Sequence, residues 1–133
     1  MRIIAGKLKG RKIIFPDNKN TRPLRDFVKE SIFNIIENSN KFKFQIKGSR
    51  ILDLFSGSGS FGLECISRGA KDVIFFENFP KKLKILQKNI EHFEISKKCE
   101  IFNYNSFNFF NQKKVLEKKF DLIFIDPPYK EQN

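Results

Sequence analysis

The chain is poor in the residues that build metal centres and disulfide frameworks. Its 133 residues hold two cysteines and one histidine. Cys65 and Cys99 lie far apart and match no metal-ligand spacing, so both read as buried thiols. His92 has no partner motif and reads as a surface position on a helix. No metal is expected. No apolar run approaches the length of a membrane span. No secretory signal pattern opens the chain, so a reducing cytoplasm is the expected compartment, with no membrane partner. Acidic residues are scarce in one half only. Residues 1–50 carry 13 Lys and Arg against 4 Asp and Glu, a net of +9, whereas residues 51–133 carry 13 against 11, a net of +2. A basic footprint confined to one end suggests a polyanion-binding arm on a nearly balanced body. The length sets one domain as the prior, with residues 1–48 as arm and helix and residues 49–133 as core.

Glycine is also sparse, seven in all, yet three fall within six residues. The stretch Ile51-Leu52-Asp53-Leu54-Phe55-Ser56-Gly57-Ser58-Gly59-Ser60-Phe61-Gly62 is an apolar run, a glycine-rich turn and the start of a helix. Gly57 and Gly59 can take positive φ and let backbone approach a ligand, and Gly62 lets the helix pack on its strand. This strand–turn–helix arrangement holds adenosine-containing cofactors at the carboxyl end of a first strand. Glu77 ends a second apolar run about 20 residues after Gly57, the interval of an acid on ribose hydroxyls. That interval fits a dinucleotide as well as S-adenosylmethionine. Asp53, at the strand end, favours the cationic sulfonium.

The remaining elements follow in order. Arg2–Ala5 and Lys12–Phe15 read as two short strands around a basic turn, a hairpin on which Arg2, Lys7, Lys9, Arg11 and Lys12 can lie along phosphates. Leu24, Phe27, Val28, Ile32, Ile35 and Ile36 follow helical spacing. Arg22, Arg25 and Lys29 lie off that stripe. Arg22 and Arg25 are RNA-binding candidates, Arg22 being the better one for a phosphate or cofactor-side contact, and Lys29 reads as solvated. The first sheet strand is Arg50 to Leu54, and its helix stops around Gly69. The second strand is Asp72 to Phe76. Pro80 opens a helix, the third strand is Cys99 to Tyr104, and a weak helix follows over Phe107 to Glu117. The fourth strand, Phe120 to Ile125, is the most apolar and is expected to be central. Alternating strands and helices give an α/β, doubly wound, Rossmann-like sheet.

That fourth strand ends in Asp126-Pro127-Pro128-Tyr129. An exocyclic nucleobase amine is a poor nucleophile, because its lone pair is delocalised into the ring. A carboxylate and a backbone carbonyl that accept its two N–H bonds favour the geometry needed for in-line attack on a methyl group. Two prolines stiffen such a turn and remove competing donors. Tyr129 offers a face for an unpaired or flipped base to stack on.

These residues resemble a known family. Asp126-Pro127-Pro128-Tyr129 is similar to the signature of amino-methyltransferases of the class I, S-adenosylmethionine-dependent kind. Arg2-Ile3-Ile4-Ala5-Gly6-Lys7, Lys9-Gly10-Arg11, Thr21-Arg22-Pro23, Phe33-Asn34-Ile35, Leu52 to Gly59 and Ser67-Arg68-Gly69-Ala70 resemble, in order, the RsmD family of bacterial small-subunit ribosomal RNA guanine-N2 methyltransferases. The resemblance implies that Asp53, Phe55, Gly57 and Gly59 line the cofactor, Glu77 holds its ribose, and Asn105 and Ser106 lie beside its adenine. It implies that Asp126, Pro127, Pro128 and Tyr129 grip a guanine amine in 16S RNA or an assembling 30S particle; a monomer is expected. Asn105 stands where the family commonly has an acid. The family also continues for several strands beyond this motif, so the sheet is expected to be incomplete at the C-terminus, truncated after its fourth strand. A DNA amino-methyltransferase and a non-catalytic RNA-binding remnant are the alternatives.

Overall fold

The computed structural model describes residues 1–15, 26–38, 43–105 and 111–127. Leu24, Phe107 and five expected site residues, Arg22, Arg25, Ser106, Pro128 and Tyr129, lie outside them. Helix α1 (Asp26–Asn38) is followed by β1 (Arg50–Asp53), α2 (Ser60–Ser67), β2 (Asp72–Phe76), α3 (Pro80–His92), β3 (Cys99–Phe102), α4 (Lys113–Leu116) and β4 (Leu122–Phe124). The four strands form one sheet in the order β3-β2-β1-β4, and every pairing is parallel. The fold is thus the expected doubly wound α/β sheet. No described helix is long and apolar enough to cross a membrane.

Side chains alternate across the sheet because strand geometry sends neighbours to opposite faces. Ile51, Val73 and Phe75 face a large core shared with Phe33 of α1, Phe61 and Leu63 of α2, and Leu86 and Ile90 of α3. Leu52, Leu54, Ile74 and Phe76 face a smaller cluster closed by Val115 of α4. Phe61 stacks between Phe33, at 5.0 Å, and Phe124, at 3.8 Å, so one aromatic column ties α1 and α2 to β4.

Four expectations change. First, β4 is an edge strand among the described residues, not a central one. It pairs with β1 alone, and Ile123 and Ile125 are 46% and 62% exposed. An apolar run shows what a strand can bury, not whether a neighbour buries it. Second, α1 is rotated relative to the expected stripe. Phe27 and Ile35 face solvent, while Lys29 and Phe33 are fully buried. Third, Gly62 packs against β2 and not its own strand, since a Cβ there would meet the Phe75 ring at 2.3 Å.

The fourth concerns the arm. Its two limbs meet in a single antiparallel bridge, Arg2 with Lys12, and form no two-stranded hairpin. The Ile3 N–H donates to the Arg11 carbonyl and the Ile13 N–H to the Met1 carbonyl, and beyond these bonds buried side chains take the backbone groups. The Ile4 and Ala5 N–H groups donate to the Glu64 carboxylate at 2.9 and 3.0 Å. Asn89 takes both polar groups of Ile14. Glu64, wholly buried, also receives Lys29 Nζ at 3.2 Å and Arg68 Nε at 2.8 Å. Lys29 reaches on to the Arg2 carbonyl and the Ser60 hydroxyl. The solvated lysine expected from sequence is therefore the hub of a dry ion pair. Burial lowers its pKa, and the Glu64 charge opposes that.

Removing one member of a buried pair strands the other, at a cost of about 3–5 kcal/mol. Lys29→Ala is expected to lose stability in that range by urea denaturation. A loss below about 1 kcal/mol would contradict the pairing described here.

Candidate active site

Four parallel strands place their carboxyl ends on one rim. At β1 the strand order turns, with β2 on one side and β4 on the other, and ligands of such sheets bind at the crevice this creates. The β1–α2 loop covers it. Gly57 and Gly59 have φ of +56° and +90°, as their positions in the turn anticipate. A Cβ at Gly59 would strike Leu86 at 2.5 Å, whereas at Gly57 it would meet open space. The loop thus backs onto α3 through one glycine and faces outward through the other.

Glu77 fastens this loop to the end of β2. One carboxylate oxygen accepts the Gly57 N–H at 2.7 Å, the other the Phe79 N–H at 3.0 Å. Each oxygen keeps a lone pair for a further donor. Asp53 lies at the base of the crevice, 1% exposed. Its Oδ1 is buried with no hydrogen-bond partner among the described residues. Burial, then the nearby Glu77 and Asp126 charges, push its pKa up to about 8, against the pull of the Phe55 and Gly62 N–H groups. Such a group is completed by a cation or by a proton.

Asp126 and Pro127 are exposed at the end of β4, one strand from Asp53 across the β1–β4 register. The Asp126 charge reaches Asp53, so residue 126 belongs to this rim. Phe55 is half-buried, and Asn105 is exposed just beyond β3. Asp53, Phe55, Gly57, Gly59 and Glu77 are therefore brought together, with Asp126 beside them. Two aromatic residues at the rim escaped the sequence reading. Phe79 is 50% exposed directly after Glu77, and Tyr104 is 46% exposed after β3. An aromatic side chain two residues past a strand's acid was the available signal.

The basic arm is organised differently from expectation. It runs along α2, with Arg2 tied near Ser60, Ile4 and Ala5 at Glu64, and Lys7 and Leu8 at Ser67. Arg2, Lys7, Lys9, Arg11 and Lys12 are all exposed. Yet the turn with Lys7 and Lys9 sits at the far end of α2, on the order of 10 Å of helix from the rim. Arg11 also has a structural task, donating to the His92 carbonyl at 3.1 Å with its guanidinium over the Phe93 ring. No described group of three or more His, Cys, Asp or Glu is placed to hold a metal ion. Burial pushes the Cys99 thiol up to about 12.

A glycine loop over a first parallel strand, an acid just past the second and an acid just past the fourth stand on a Rossmann-like fold of the class I methyltransferase kind. Residues 1–133 match the family described as conserved hypothetical protein 95. A putative rRNA methyltransferase of Bacillus subtilis is 38% identical over 99% of the chain and 68% of its own length. The ribosomal RNA small subunit methyltransferase D of Buchnera aphidicola from Acyrthosiphon pisum is 42% identical over 96% of the chain and 62% of its own length. Among solved structures, a putative methyltransferase from Escherichia coli aligns with a TM-score of 0.78 at 30% identity, over 98% of this chain and 65% of that one. The chain belongs to this family, the RsmD family of ribosomal RNA methyltransferases. It spans about two thirds of the length of these relatives.

The Asp53 shift has a pH signature. The folded chain holds a proton there that the unfolded chain releases above about pH 4. Stability therefore falls as pH rises from about 4 to about 8, at roughly 1 kcal/mol per pH unit, and levels above that. Asp53→Asn should flatten this slope in denaturation series between pH 5 and 9. An unchanged slope would place the titration elsewhere.

Proposed function

We propose that this chain forms one methyltransferase domain, residues 1–48 as RNA-binding arm and helix and residues 49–133 as cofactor core. It transfers a methyl group from S-adenosylmethionine to the exocyclic N2 of a guanine in small-subunit ribosomal RNA or an assembling 30S particle. It works in the cytoplasm, as a monomer. The observation that carries this reading is the convergence of Asp53, Glu77 and Asp126 from three neighbouring strands on one crevice.

The residues fit such a cofactor on their own chemistry. The orphaned Asp53 oxygen suits the positive charge of the donor's amino acid and sulfonium end. The open side of Gly57 leaves room for it, and the free lone pairs of Glu77 suit two ribose hydroxyls. Asn105 and Ser106 would hold the adenine. When bound, the cofactor supplies an electrophilic methyl group.

The chain supplies position and acceptors. Asp126 accepts one N–H of the guanine amine, and a backbone carbonyl of the Pro127-Pro128 turn accepts the other. Both bonds hold the nitrogen lone pair towards the donor. Tyr129 stacks on the extruded base. The N–C bond would form as the donor's methyl–sulfur bond breaks, its electron pair staying on sulfur to leave S-adenosylhomocysteine, and the positive nitrogen would pass its proton to Asp126 or to water. The gain comes from placement and from acceptors set before the reaction begins. Arg2, Lys7, Lys9, Arg11, Lys12, Arg22 and Arg25 hold phosphates, contacts that position the RNA and carry no sequence information directly.

Undermethylated small subunits incubated with methyl-labelled cofactor, then digested to nucleosides, should yield label in N2-methylguanosine. Label on another base, or preference for DNA over RNA, would overturn the assignment. Asp126→Ala is expected to lower kcat by about 10²–10³, with S-adenosylhomocysteine affinity within about threefold of wild type.

A further inference from the structure

The arm and the glycine loop are joined by two buried side chains for which the reaction has no use. Asn89 is fully buried in the last full turn of α3. Its Oδ1 accepts the Ile14 N–H at 2.7 Å, and its Nδ2 donates to the Ile14 carbonyl at 3.0 Å and to the Ser58 carbonyl at 2.9 Å. Ile14 lies on the second limb of the arm. Ser58 is the middle residue of Gly57-Ser58-Gly59. Lys29 does the same from the other side, joining the Arg2 carbonyl of the first limb to the Ser60 hydroxyl, 2.9 and 3.2 Å away. One limb is thus bonded to the middle of the loop and the other to Ser60, where the loop enters α2. Leu86, one turn before Asn89, fills the space beside Gly59.

Three bonds converge on one buried amide, so they depend on one another: a shift of the Ile14 backbone turns the Nδ2 that also holds the Ser58 carbonyl. If the arm lifts, Asn89 loses two of its three bonds and the Ser58 carbonyl loses its fixed direction. A ligand that fixes the loop holds Asn89 and, through it, Ile14. Coupling of this kind is reciprocal.

We propose that Asn89 is a positioning residue that couples the arm to the cofactor loop, so that RNA lying on the arm tightens the hold on the methyl donor and the donor tightens the hold on RNA. The proposal rests on the methyltransferase reading above. Asn89 touches neither ligand and acts through Ser58 and Ile14.

The test uses the full chain, S-adenosylhomocysteine and an unmodified transcript of small-subunit ribosomal RNA. Saturating transcript is expected to tighten S-adenosylhomocysteine binding about fivefold or more, with the same factor in the reverse experiment. In Asn89→Ala that factor falls to about one, while the variant binds transcript alone within about threefold of wild type. A purely structural Asn89 would weaken both ligands and leave the factor as in wild type, which overturns the proposal. Should the variant not fold, the wild-type chain decides. S-adenosylhomocysteine should slow hydrogen exchange of the Ile14 amide about fivefold, and an unchanged rate overturns the proposal. Binding of both ligands without coupling removes this proposal alone. No binding of S-adenosylhomocysteine removes the methyltransferase reading with it.

Discussion

The architecture depends on one buried carboxylate. Glu64 sits in the middle of α2 and receives four donors: Lys29 from α1, Arg68 one turn on, and the backbone N–H groups of Ile4 and Ala5. Three segments distant in sequence therefore share one anion. The charges balance locally, since Arg68 also reaches Glu37 at 2.8 Å. A carboxylate this dry is tolerated only because all its partners are present. It fixes the line of the arm along α2, and so where basic side chains stand relative to the rim.

That placement has a functional consequence. The β1–β4 crevice gathers acids, which suit a cationic donor and an amine acceptor but repel phosphate. A polyanionic substrate needs its positive holdfast elsewhere, and the exposed Lys7 and Lys9 stand at the far end of α2, away from those acids. On the proposed reading one surface would take the backbone while another receives a single base, which separates affinity from chemistry. Glu77 joins the two concerns at the rim, because the same carboxylate that steadies Gly57 has capacity left for a ligand.

Local patterns were legible and long-range pairings were not. The second strand, Asp72–Phe76, appears with its expected bounds, and Pro80 opens α3 as a first-turn proline should. Gly57 and Gly59 take the backbone conformations their spacing requires. Lys29 was misread because helical periodicity counts apolar residues, and a lysine is buried only if a distant acid accepts it. Its phase with Phe33, four residues on, was the one local hint. The hairpin is cut short for a related reason: Ile3 and Ile13 do bond the opposite limb, but the backbone groups of Ile4, Ala5 and Ile14 are taken by Glu64 and Asn89. Strand β4 shows the limit of composition, since apolar character does not assign neighbours.

The central claim is that the rim between β1 and β4 seats an adenosyl cofactor beside Asp126. A crystal structure of the chain with S-adenosylhomocysteine tests it most directly. The account predicts ribose hydroxyls within hydrogen-bond distance of Glu77, the amino acid end over Asp53 and Gly57, and the sulfur facing Asp126. A ligand seated elsewhere, or with its sulfur turned away from residue 126, would contradict it.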